Sequence, residues 1–210
     1  MNWAEAGFEV LGRHVAWADL VGNVCALATL WLAMKRTIWT WPVQFAGSVL
    51  LFAASISAHI TGNALKQVLF GALAIYGWVR WSRGSRGGAP LAVRSATGRE
   101  RVALVAVLAA GTVAVALLFG FLNSRGLNVS WAPWPDAYIF VGSAVATWAQ
   151  GRALVDFWLL WVAVDLVGVP LAFRSGLVVS GAVYAVFFVL VLIGFRDWRR
   201  ESRALEAVTT

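Results

Sequence analysis

Apolar residues along this chain gather into long runs separated by short polar gaps. The runs lack the polar stripe that a helix on the surface of a soluble core turns toward water. A bilayer core of about 30 Å takes about 20 apolar residues per helix. The pattern predicts seven membrane spans, at 16–34, 43–60, 64–81, 102–122, 136–149, 158–173 and 177–195, and leaves no length for a separate soluble domain. The fifth and sixth runs are short for full spans, a mismatch that tilt and the flanking Trp, Arg and Asp side chains absorb. Ahead of the first span, Trp3, Gly7, Val10, Leu11 and His14 fall on one helical stripe. That spacing predicts a short interfacial helix over 1–15, and no basic n-region or cleavage signal marks it as a signal peptide.

The gaps between runs order the chain. Residues 82–101 are rich in Gly, Ser and Arg and read as a basic linker, whereas 123–135 form a shorter loop with two prolines. The organisation predicted is an all-α membrane protein of three spans (16–81), a connecting span (102–122) and three more (136–198), ending in a tail at 199–210. Basic residues also set the orientation, because positively charged loops stay on the cytoplasmic side. With the N-terminus outside, thirteen of the 17 Lys and Arg fall on the inner side, and Arg13, Lys66, Arg125 and Arg174 remain outside. An outside N-terminus and an inside C-terminus require an odd number of spans, which seven satisfies.

The two triplets resemble each other. At an offset of 117 residues Trp17 aligns with Trp134, Trp31 with Trp148, Trp41 with Trp158 and Trp81 with Trp198, while Asp19 meets Asp136 and Gly77 meets Gly194. Chance placement of the tryptophans in the two windows predicts about half a coincidence, against the four observed. Equivalent helices are separated by an even number of spans, so the repeats run parallel, a construction in which transporters hold substrate between the halves near midplane.

Candidate chemistry lies on the second span of each triplet. Trp158, Trp161 and Asp165 share one helical face running inward, and their repeat partners are Trp41, Gln44 and Ser48. A carboxylate about 10 Å into a span is costly unless it faces a cavity or a partner. Opposed tryptophan faces would form a slot for a flat ring, with Asn23, Gln67, Tyr184, Thr147 and Gln150 as polar groups to read its edge. Each of these also suits an interhelical hydrogen bond. Trp3, Trp17, Trp39, Trp78, Trp81, Trp131, Trp134 and Trp198 fall near span ends and read as interface anchors.

Composition narrows the classes. The chain is 60% hydrophobic and 13% charged, with a formal charge of +7. Its basic residues sit in the gaps between spans, which points to anionic lipid headgroups and away from nucleic acid. Cys25 is the single cysteine, and His14 and His59 are the only histidines, far apart and without ligand spacing. Neither a disulfide, a metal cluster nor a nucleophile with its base is expected, and no phosphate-binding Gly-rich loop is present. A membrane enzyme is therefore disfavoured, no cofactor is expected, and transport is expected to run down the substrate's own gradient, with ion coupling through Asp19, Asp136 or Asp165 as the alternative and a non-transporting scaffold as the third class.

The segments GNVCALATLWLAMKRTIWTWPVQF, KQVLFGALAIYGWVRW and DFWLLWVAVDLVGVPL, with the closing GFRDW, resemble the PnuC family of vitamin transporters over nearly the whole chain. TWPVQF, WPDAYIFVG and VDLVGVPL look most like its RibM-type riboflavin importers, and Gln44 and Phe157 replace the Gly and Asn of the commoner nicotinamide riboside members. The resemblance implies a fold similar to a full-length SWEET protein, a homotrimer with one site per protomer, and a W-x-x-W element at Trp158 and Trp161. It implies import of riboflavin, with nicotinamide riboside close behind, across a bacterial inner membrane by facilitated diffusion. A cytoplasmic kinase would trap the vitamin without needing to touch the carrier.

Overall fold

The computed structural model describes residues 7–10, 13–57, 61–84, 92–174 and 178–209. Helices follow the seven apolar runs: α1 (Trp17–Met34), α2 (Thr40–Ser57), α3 (Thr61–Gly84), α4 (Gly98–Ser124), α5 (Pro133–Gly151), α6 (Phe157–Arg174) and α7 (Val178–Thr209). The interfacial helix expected over 1–15 is replaced, within the described residues, by an antiparallel pair of strands, β1 (Gly7–Val10) and β2 (Arg13–Ala16). Gly7 lies opposite Ala16, and Val10 opposite Arg13. Gly7 and Gly12 each weaken a helix by about 1 kcal/mol relative to Ala, and Phe8, Val10 and Val15 favour extended backbone, so the helical stripe loses to local propensity.

The chain divides between Leu91 and Ala92 into two compact units. In the first, α2 packs on both α1 and α3. Small residues allow the approach: a Cβ added at Gly22 would stand 2.6 Å from Leu51, and one at Gly47 would stand 2.9 Å from Cys25. In the second unit α5 packs on α4 and α6, and α6 on α7. Buried positions on α4 are Leu104 and Ala116, whereas α5 buries a run from Ala137 to Gly151. Helix α4 therefore has most of its apolar surface left uncovered by the helices of its own unit.

Three contacts of the first unit recur 117 residues later. The Trp41 ring covers Gly77 as the Trp158 ring covers Gly194, where an added Cβ would stand 2.3 Å and 2.4 Å from the indole. Gly47 against Cys25 becomes Val164 against Gly142, and Gly22 against Leu51 becomes Ile139 against Gly168, with large and small residues exchanged each time. The α1–α2 and α5–α6 connections are also hydrogen-bonded alike. Arg36 and Ala153 both adopt positive φ, at 55° and 54°. Their amides donate to Ala33 O and Gln150 O at 2.9 Å, and the next amides reach Leu32 O and Ala149 O at 3.2 Å.

The basic linker is partly built into the second unit. Arg94 bridges the α5–α6 connection, donating to Ala153 O and accepting from Val155 N. Thr97 then caps α4 in a capping box with Glu100. At the other end of α4 the Asn123 side chain folds the loop to α5: its Oδ1 accepts from Val129 N at 2.7 Å and its Nδ2 donates to Ser130 O at 2.5 Å. Ser130 in turn donates to Asp136 in the first turn of α5. The tail expected at 199–210 continues as helix, since α7 runs unbroken to Thr209.

Candidate functional site

Four tryptophan pairs at the 117-residue offset share their exposure. Trp17 and Trp134 are exposed, as are Trp31 and Trp148. Trp41 and Trp158 are each 0% exposed, and Trp81 and Trp198 each 1%. The reading of Trp81 and Trp198 as interface anchors is therefore corrected. Their span-end positions gave no face, and the face they occupy points inward. Trp81 meets Trp41 edge-on with ring centres 5.1 Å apart, and Trp198 meets Trp158 at 5.9 Å. Phe157 completes the second cluster, 4.3 Å from Trp158 and 5.1 Å from Trp198.

Trp41 and Trp158, expected as open walls of a slot, are thus enclosed by side chains of their own unit, each lying on a helical glycine. Their shape makes them the pins that fix α2 against α3 and α6 against α7. The indole Nε1 of both is buried without a hydrogen-bond partner, so each retains an unused donor.

One and two turns further along, the picture changes. Gln44 and Trp161, equivalent at the offset, are half-buried. Trp161 packs edge-on against Phe187, with ring centres 5.3 Å apart. Ser48 and Asp165, the next equivalent pair, are 6% and 2% exposed, and Asp165 Oδ2 has no hydrogen-bond partner. A buried carboxylate oxygen left unmet among apolar helices is expensive, the condition under which an intramembrane acid serves a ligand or a proton. Pro170 follows five residues later in α6 and removes the amide that would have bonded Leu166 O, a feature without a counterpart at Ala53 of α2.

Of the other expected polar contacts, Gln67, Thr147 and Gln150 are buried. The Thr147 hydroxyl donates to Ser143 O at 2.9 Å and so is spent on its own helix. The side chains of Asn23 and Tyr184 lie outside the described residues.

A second polar cluster went unnoticed in the sequence. Glu100 receives both guanidinium nitrogens of Arg94 at 2.7 Å and Arg152 Nη2 at 2.9 Å. Asp156 receives Ala96 N and Arg101 Nε, both at 2.6 Å. These bonds tie the linker, the start of α4 and the α5–α6 connection together. The Arg94 fork and the Thr97 amide hold the Glu100 carboxyl well below the usual carboxylate range, while the Arg94 guanidinium is raised by the same bond. The Thr-x-x-Glu pattern at 97–100 ahead of an apolar run was the signal that could have found it.

Seven helices along the apolar runs, a pinned tryptophan pair in each unit and a buried, unmet carboxylate are the features expected of a multi-pass membrane carrier. Comparison with known proteins gives the family. Residues 16–200 match the model of the nicotinamide mononucleotide transporter family, and the chain belongs to that family. It is 50% identical, over 97% of its length and 96% of the relative's, to the riboflavin/roseoflavin transporter RibM of Streptomyces davaonensis. It is 26% identical to the nicotinamide riboside transporter PnuC of Escherichia coli over 92% of each chain. The fold is similar to the crystal structure of the vitamin B3 transporter PnuC, with a TM-score of 0.68 at 18% identity over 90% of this chain and 83% of the other.

Proposed function

We propose that this chain imports riboflavin across the bacterial inner membrane as a uniporter. The observation that carries the proposal is the 50% identity to RibM along almost the whole of both chains, about twice the identity to PnuC. Trp161 and Asp165 of the second unit handle the flavin: the indole stacks on the ring, and the carboxylate reads its hydrogen-bonding edge, while Gln44 and Ser48 are the equivalent candidate ligand groups of the first unit. Trp41 and Trp158 act by holding the helices that carry these groups. The two triplets form a 3+1+3 parallel repeat similar to a SWEET protein, with the N-terminus outside and the C-terminus in the cytoplasm. The assembly is a homotrimer. Transport equalises free vitamin on the two sides, and phosphorylation by a separate cytoplasmic kinase makes import net. The protein is a carrier and not an enzyme.

Nicotinamide riboside is the second reading, favoured by the similarity to PnuC. Fluorescence separates the two. Riboflavin should quench the intrinsic tryptophan emission of the purified protein saturably, at concentrations where nicotinamide riboside has little effect. Trp161→Ala should weaken the response about tenfold, the scale of one lost aromatic contact of ~1.5 kcal/mol. Trp131→Ala, at a residue 69% exposed, should leave it unchanged. Saturable quenching by nicotinamide riboside alone would overturn the choice of flavin.

A further inference from the structure

Helix α7 is 32 residues long, about 48 Å at 1.5 Å per residue, and so outreaches a bilayer core of about 30 Å. Its last turns are held on one face. Trp198 is buried against Phe157 and Trp158, and Ser202 Oγ lies 3.3 Å from Ser95 Oγ. The opposite face carries Arg196, Arg199, Arg200 and Arg203, at the i, i+3, i+4, i+7 spacing that makes one stripe. With Phe195 they line a cleft of about 340 Å³, and the Arg199 guanidinium sits 5.6 Å from the centre of the Phe195 ring. The carboxylates in this stretch are Asp197, whose Oδ1 is 3.5 Å from Arg196, and Glu201, so positive charge is in excess.

We propose that this arginine face is a binding site for the headgroup of an anionic phospholipid. The stripe does not begin in water. Val189, Leu192 and Ile193, exposed on the same helix, lead into it: Leu192 precedes Arg196 by one turn, and Ile193 precedes Arg196 and Arg200 by about one and two turns. An exposed apolar strip that ends in a basic cleft has the pattern of a phospholipid, with an acyl chain along Val189 and Leu192 and a phosphate among the guanidinium groups. Arginine suits that ligand because its planar fork gives two hydrogen bonds to one phosphate. Since Trp198 and Ser202 fix the helix from behind, the four guanidinium groups are presented from a rigid base.

The test uses the purified full-length chain in detergent, with phosphatidylglycerol, phosphatidylcholine or inorganic phosphate added, and reads the melting temperature. Phosphatidylglycerol should raise it saturably, whereas phosphatidylcholine and phosphate should not. The variant R196Q/R199Q/R200Q/R203Q should bind phosphatidylglycerol at least about tenfold more weakly, given attraction on the order of a few-fold per basic group near an anionic surface. The smaller variant R199Q/R203Q should fall between and guards against a folding defect. R80Q/R83Q, which removes exposed charge from the end of α3, should bind like the parent. Four results would overturn the proposal: equal stabilisation by the two lipids, the same rise with phosphate alone, an unaltered response in the fourfold variant, or an equal loss in R80Q/R83Q.

Discussion

A glycine beneath a tryptophan ring sets how closely two helices approach, and at Gly77 and Gly194 no room is spare. A methyl group there would enter the indole of Trp41 or Trp158 by more than 1 Å of normal contact, and the ring is enclosed by Trp81 or Trp198 and cannot retreat. Gly77→Ala and Gly194→Ala should each cost ~1–3 kcal/mol, seen as a lower melting temperature and poorer yield of folded protein. Gly120→Ala is the control. Nothing lies within 4 Å of a Cβ at that position, so the change should be neutral or stabilising by up to about 1 kcal/mol. Equal losses at all three positions would show that the indoles are not what makes Gly77 and Gly194 intolerant. The tryptophan register itself was legible in the sequence because tryptophan is scarce and large, and a duplicated packing problem keeps it in place. The burial of Trp81 and Trp198 was not legible, since distance along a span says nothing about which side of the helix a ring occupies.

Among the elements, α4 depends on charge at its first turn, having few buried residues of its own. Glu100 gathers Arg94 and Arg152, and Asp156 gathers Ala96 N and Arg101. Because the folded Glu100 carboxyl titrates below its ordinary value of 4.5, the stabilisation it gives is full at neutral pH. That stabilisation fades only in acid below 4.5, as the pH falls toward the lowered value. Amide hydrogen exchange over 92–104 should therefore keep its protection down to the usual carboxylate range and lose it beneath. In Glu100→Gln the protection should already be reduced at neutral pH. Loss of protection in the parent well above pH 4.5, or no change in the variant, would contradict this account. Helix existence was readable here from the apolar run alone. The tie between linker and α5–α6 connection was not, because it joins Arg94 to Leu154 and Ala96 to Asp156 across about 60 residues of sequence. At the N-terminus the reverse happened. A helical stripe built on Trp3, Gly7, Val10, Leu11 and His14 spans two glycines, and local β preference prevailed over 7–10 and 13–16.

For the whole molecule, two contacts of the first unit have counterparts 117 residues later that are made by different residues. Cys25 on Gly47 and Gly142 on Val164 fill the same gap from opposite sides, as do Leu51 on Gly22 and Ile139 on Gly168. Where the two units depart from each other, function is the natural place to look. Ser48 is matched by Asp165, Gln44 by Trp161, and Ala53 by Pro170, all on the helix that carries the candidate ligand groups. A carrier needs such asymmetry to recognise a ligand that has no two-fold symmetry of its own, and riboflavin has none. The most direct measurement is uptake of labelled riboflavin by proteoliposomes containing only this protein, with no ion gradient and no nucleotide. Saturable entry that stops when internal and external concentrations are equal, and that unlabelled riboflavin inside accelerates, is the predicted result. Absence of uptake, or uptake only under an imposed proton or sodium gradient, would contradict it.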